Sequence, residues 1–250
     1  RVRTLQIAGR GSVPSDAVAV TGNLTATGAT GSGYVTMGPT MTTRPATSTL
    51  NLVKGRTIAN NLTVRLGAGG TAGLVFVGPS GSRVQLVFDV TGYYRAGNAG
   101  AEWYPISPTR LLDTRAANGL SGAFVDGTPR SFQLTGRGSV PVDAVAVTAN
   151  LTVTGATASG YVAIGPTMTG SPTTSTLNLA RGQTIANGLT LRVGAGGTVG
   201  AVFMSASGAK AHLILDVTGY YRVGGSGATW YPLTPTRLLD TRSGNGLSGS

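Results

Sequence analysis

Residues 1–123 recur without a gap as residues 128–250, and about two-thirds of the aligned positions are identical. "GRGSVPSDAVAVTGNLT" at Gly9 returns as "GRGSVPVDAVAVTANLT" at Gly136. "FDVTGYYR" at Phe88 returns as "LDVTGYYR" at Leu215, and "WYPISPTRLLDTR" at Trp103 as "WYPLTPTRLLDTR" at Trp230. Every pair is 127 residues apart. A period this long exceeds any solenoid unit, so each copy must bury a core of its own and the chain is read as beads rather than as one continuous stack. The absence of a single insertion says that the copies share one geometry.

Within a copy the apolar period is two. "DAVAVTGNLTAT" (Asp16–Thr27) places Val18, Val20 and Leu24 on one face and Thr21, Asn23 and Thr25 on the other, as in a half-buried strand. "RTLQIAG", "GYVTMG", "STLNLV", "NLTVRLG", "GLVFVG" and "RVQLVFDV" supply six more such runs, and "RLLDTR" an eighth. Between them lie "GATGSG", "GAGG" and "GPSGS", in which glycine supplies turn conformations closed to other residues. With 40 glycines and only 11% charged residues, the composition suits short strands and tight turns, and no stretch shows a helical stripe. The expected fold is all-β: two tandem antiparallel β-sandwich modules of seven to eight strands each, with closed barrels as the alternative.

Taken together and in this order, "GRGSVPxDAVAV", "STLNL", "TIAN", "DVTGYY" and "PTRLLDTR" resemble a tandem repeat of secreted and cell-surface proteins from high-GC Gram-positive bacteria. The resemblance implies an extracellular or cell-surface location and a structural or accessory role, and it carries no catalytic residue. In that family each module opens with the "PxRLLDTR" segment and closes at "DVxGYY". Read in this phase, residues 1–100 are a module lacking its opening strand, 101–227 a complete module, and 228–250 the opening segment of a following one. Two explanations stand open: the chain is an excerpt of a longer array, or its last segment completes the first module of a neighbouring copy.

Either way an unfilled opening position leaves an unpaired strand edge and an apolar slot, which invite another chain. The residues expected to carry this joining are Trp103, Tyr104, Arg110, Leu111, Leu112, Asp113 and Arg115 in the middle of the chain. Near its end they are Trp230, Tyr231, Pro235, Arg237, Leu238, Leu239, Asp240 and Arg242. In a regular extended segment Leu238 and Leu239 face opposite sides, and Asp240 lies between two arginines. A head-to-tail contact of this kind does not close on itself and grows a fibre. The aromatic residues admit a second reading, as sugar platforms of an adhesin or wall-glycan-binding module.

Other chemistry finds little footing. The single histidine, His212, stands where the first copy has Gln85, and no "GxSxG" elbow accompanies the many serines. The acids are too isolated for a calcium loop, and "GAGGTAG" lacks the lysine and helix of a phosphate loop and reads as a hairpin turn. With no cysteine, thiolate sites and disulfides are absent. No enzyme activity, metal or cofactor is expected. Nor is membrane insertion, since there is no run of about 20 apolar residues. Asp89 and Asp216 read as turn or strand-end residues before "TGYY". The formal charge of +11 comes from scattered cations rather than from a basic stripe with interleaved aromatics. Specific nucleic-acid binding is therefore not expected, whereas self-association and weak attraction to anionic cell-wall glycans are.

Overall fold

The computed structural model describes residues 1–45, 47–97 and 100–225. The first copy contributes β1 (Val2–Gln6), β2 (Ala17–Thr27), β3 (Gly33–Gly38), β4 (Leu50–Leu52), β5 (Ile58–Arg65), β6 (Thr71–Val77) and β7 (Gln85–Arg95). Next come β8 (Ala101–Asp113) and β9 (Phe124–Val125), and then the second copy's β10 (Arg130–Gln133), β11 (Ala146–Thr154), β12 (Gly160–Gly165), β13 (Leu177–Leu179), β14 (Ile185–Arg192), β15 (Thr198–Met204) and β16 (Lys210–Val223). Each copy forms two antiparallel sheets. In the first their orders are β1-β6-β3-β4 and β5-β2-β7; in the second they are β10-β15-β12-β13 and β14-β11-β16-β8, with β9 also paired to β16. None of these sheets closes, so the fold is a pair of sandwiches and not of barrels. The second sandwich has nine strands, the ninth being the two-residue β9.

Each sandwich has its own core. Val20, Leu24, Val35, Leu50 and Leu52 are among the residues of the first, and Leu112, Phe124, Leu134, Leu151, Val162, Phe203 and Leu215 of the second. The period-two pattern is the cause: inward residues of facing sheets interdigitate and exclude water, each large aliphatic contributing about 1.5–3 kcal/mol.

Three local expectations change. Val18 is exposed, because the β2–β7 ladder is irregular between Ala17 and Ala19 and buries those two alanines instead. "GAGG" is not a hairpin: Ala68–Gly70 is a 3₁₀ turn that carries the chain from β5 in one sheet to β6 in the other. Asp89 and Asp216 are neither turn nor strand-end residues. Both strands run on through "TGYYR", and Thr91 and Thr218 form bulges that absorb one extra residue opposite β2 and β11.

Candidate functional site

The strand β8 follows β7 in sequence but hydrogen-bonds to β16, so the segment adjacent to the first module completes the second. The register runs from Val223 opposite Ala101 to Ile214 opposite Asp113. Proline at positions 105 and 108 is tolerated because β8 is an edge strand, where a missing donor costs no ladder bond. Regular alternation would bury one leucine of "RLLD" and expose the other. In the structure the register shifts between the Leu215–Leu112 and Asp216–Arg110 pairs, leaving Leu111 as the extra residue of a bulge. Both Leu111 and Leu112 consequently join the second core.

Around these leucines the polar groups form a closed set. The Arg110 guanidinium donates to both carboxylate oxygens of Asp216, at 2.8 and 3.1 Å, and to Asp113 at 3.2 Å. Arg115 donates its backbone N–H, Nε and Nη2 to Asp113 at 3.1, 2.9 and 2.7 Å. Arg137, from the "GRGS" turn, donates to the Leu111 carbonyl at 2.9 Å and to Asn118 Oδ1 at 2.7 Å. Thr114 Oγ1 accepts the Leu213 N–H at 3.2 Å and lies 2.9 Å from Nδ1 of half-buried His212. Because Arg110 is half exposed, its pairing with Asp216 is worth about 0.5–1 kcal/mol. The two leucines dominate the binding of this strand, and the arginines set its register.

The aromatic residues are engaged in the same contact. Trp103 lies against Gly219, where any Cβ would overlap its indole, and its Nε1–H donates to Thr148 Oγ1 at 3.1 Å. Tyr104 stacks on Tyr220 with ring centroids 5.1 Å apart. Tyr94 and Tyr221, equivalent residues of the two copies, bring their hydroxyls to 3.0 Å across the module junction, and burial followed by this contact raises the Tyr221 pKa.

The first module has Asp89, Gly92 and Tyr93 of β7 at the positions equivalent to Asp216, Gly219 and Tyr220 of β16. Among the described residues β7 is an edge strand, and its Val87, Val90 and Tyr93 are 48%, 39% and 45% exposed, whereas Ile214 and Val217, the β16 equivalents of Val87 and Val90, are 6% and 0% exposed. Asp89, the equivalent of Asp216, makes no ion pair among the described residues. It lines a cleft between the modules with Asn23, Asn61 and Arg192, and burial raises its pKa. Among the described residues Arg10, the equivalent of Arg137, reaches only the Gln6 carbonyl, at 3.4 Å. A Cβ on Gly138 would press on Thr109 and Leu111, but one on Gly11 would meet nothing within 4 Å. Trp230, Tyr231, Pro235, Arg237, Leu238, Leu239, Asp240 and Arg242 lie outside the described residues.

The sequence reading missed Arg137. Its signal was an arginine shared by both copies between two positive-φ glycines, Gly136 and Gly138, a turn that aims the side chain back at the preceding strand. Among the described residues no group of three or more metal-ligating side chains occurs. Compared with known proteins, the chain matches no family model, no curated protein and no solved structure.

The carboxylates of the two copies differ in their response to acid. Hydrogen bonds from Arg115 hold the Asp113 pKa well below the usual carboxylate value. Its contribution to stability is therefore in place above about pH 4 and is lost as pH falls through and below that value. Asp89 has the opposite sign: its protonated form is favoured in the folded state, so its contribution is present below about pH 4 and is lost as pH rises. Calorimetry between pH 6 and pH 3 is expected to show the second module losing stability relative to the first, and Asp113→Asn should remove most of that difference. An unchanged difference in Asp113→Asn would show that other carboxylates carry the effect.

Proposed function

We propose that this chain is a non-enzymatic structural repeat protein of the cell exterior whose modules join end to end. In this reading the β7 edge of one copy takes the Trp230–Arg242 segment of another, as β16 takes Trp103–Arg115. One observation carries the reading. Among the described residues, Asp89, Gly92 and Tyr93 stand on the unpaired β7 edge, and Arg10 and Gly11 in the turn after β1, at the positions equivalent to Asp216, Gly219, Tyr220, Arg137 and Gly138 around β8. In that docking Arg237 pairs with Asp89, Leu238 and Leu239 enter the first core, and Trp230 lies on Gly92. The contact is heterologous, so successive copies add without closure and the product is a fibre. The extracellular placement rests on the resemblance of the repeat motifs. A glycan-binding role is less supported, because the Trp103 and Tyr104 rings are packed rather than presented as platforms.

The test uses the whole 250-residue chain and the double variant Leu238→Asp/Leu239→Asp, followed by sedimentation velocity and electron microscopy. The unsubstituted chain is expected to form concentration-dependent head-to-tail oligomers or filaments, and the double variant to sediment as single chains. A chain that stays a single species at its highest soluble concentration overturns the reading, as does a variant that assembles as well as the parent.

A further inference from the structure

The two modules of the chain also meet through a second contact. Asn23 Nδ2 of β2 donates to the Ser175 carbonyl at 2.8 Å, Asn187 Nδ2 donates to Asn23 Oδ1 at 2.9 Å, and the Asn61 N–H donates to Asn187 Oδ1 at 2.9 Å. The lateral edge of the second sandwich, at β13 and β14, thus rests on the outer face of β5-β2-β7. Burial records it: Thr21, Asn23 and Thr25, on what would otherwise be a solvent face, are all buried, and so is Asn187.

Among the described residues the contact is not reciprocal, so each module has one half of it left over. On the second module the equivalent outer face is Thr148, Asn150 and Thr152, only half-buried. On the first module the equivalent edge is Ser48 and Asn60, both exposed. The residue types are unchanged except that Asn61 becomes Gly188, a position that contributes only its backbone N–H. The side chains already hold the docked arrangement. Asn150 donates to Thr152 Oγ1 at 3.3 Å as Asn23 does to Thr25 at 3.4 Å. Asn60 donates to the Thr49 carbonyl at 3.1 Å as Asn187 does to that of Thr176 at 2.7 Å.

We infer that the outer face of the second module around Asn150 receives the Ser48–Asn60 edge of a second copy, repeating between chains the contact that Asn23 makes with Ser175 and Asn187 within one. The inference rests on the assembly reading and deepens it. The exchanged strand supplies most of the affinity, and this face supplies the angle between successive modules, because three directional hydrogen bonds orient what a strand edge alone leaves free to swivel. Asn150 Nδ2 donates to the Ser48 carbonyl, Asn60 Nδ2 to Asn150 Oδ1, and the Gly188 N–H to Asn60 Oδ1.

The chain has no cysteine, so site-directed crosslinking is clean. The full chain carrying Ser48→Cys and Asn150→Cys, treated with a short bis-maleimide, is expected to give a ladder of covalent multimers on denaturing gels. Either single variant should give no species beyond a dimer. A control with Asn23→Cys and Ser175→Cys should link within one chain; a control that stays unlinked removes the template and overturns the inference. Filaments without a ladder overturn the face contact and leave strand completion standing. A ladder that persists undiminished with Leu238→Asp/Leu239→Asp supports the face contact and refutes the donated strand. Loss of both ladder and filaments overturns both.

Discussion

Replacing Leu112 with alanine is expected to destabilise the second module by about 2–5 kcal/mol, the usual cost of removing a fully buried leucine when its surroundings cannot collapse into the space. Leu112 is completely buried opposite Leu215, in a core shared with Phe124, Leu134 and Phe203. The loss falls on one module only, because none of these residues belongs to the core of the first. Calorimetry should show one transition moving down while the other stays in place. A change under about 1 kcal/mol, or two transitions moving together, would mean that β8 is not an integral strand of the second sandwich.

The second large effect comes from one substitution made at two equivalent glycines. Gly219→Ala places a methyl where the Trp103 indole lies, and overpacking of this kind costs about 1–3 kcal/mol. Loss of the Trp103–Thr148 hydrogen bond adds to it. Neither glycine is in the left-handed region, so the backbone accepts alanine at both. At Gly92 the nearest atom to a new Cβ is the Thr21 methyl at 3.2 Å, which needs only a small adjustment. Gly92→Ala is therefore expected to leave the melting of the chain within about 0.5 kcal/mol of the parent while reducing filament formation at least tenfold. Equal destabilisation by both substitutions would show that the β7 edge is already covered in the single chain. An assembly-competent Gly92→Ala would show that Trp230 does not dock there.

Much of this molecule is legible before any coordinates. The "GYVTMG" run is β3 to the residue, and the gapless repeat foretells that β1–β7 and β10–β16 pair alike. What the period cannot register is a bulge. Strict alternation sends Leu111 and Leu112 to opposite faces and keeps Val18 with Val20, and one extra residue in a ladder reverses each assignment. The "DVTGYY" motif was misread for the same reason. Its Thr-Gly pair suggests a turn, yet threonine forms the bulge and glycine makes room for an indole. The Asn23–Asn187 contact was invisible because a polar strand face looks the same whether water or another module covers it. Its only trace was the retention of Asn60 and Asn187 in both "TIAN" segments.

The antiparallel register of β8 also determines how such a chain bears load. Ala101 is paired with Val223, so the start of β8 and the end of β16 lie at the same end of one ladder. Tension along the polypeptide pulls these strands apart as a zip opens, one pair after another, instead of shearing the whole ladder at once. The weak, proline-interrupted stretch would give way first, and the leucine and arginine cluster at Arg110–Asp113 last. The same end carries the Tyr94–Tyr221 contact between modules. Force must break that contact before it reaches the zip, which makes the junction between beads, and not the beads, the first element to yield.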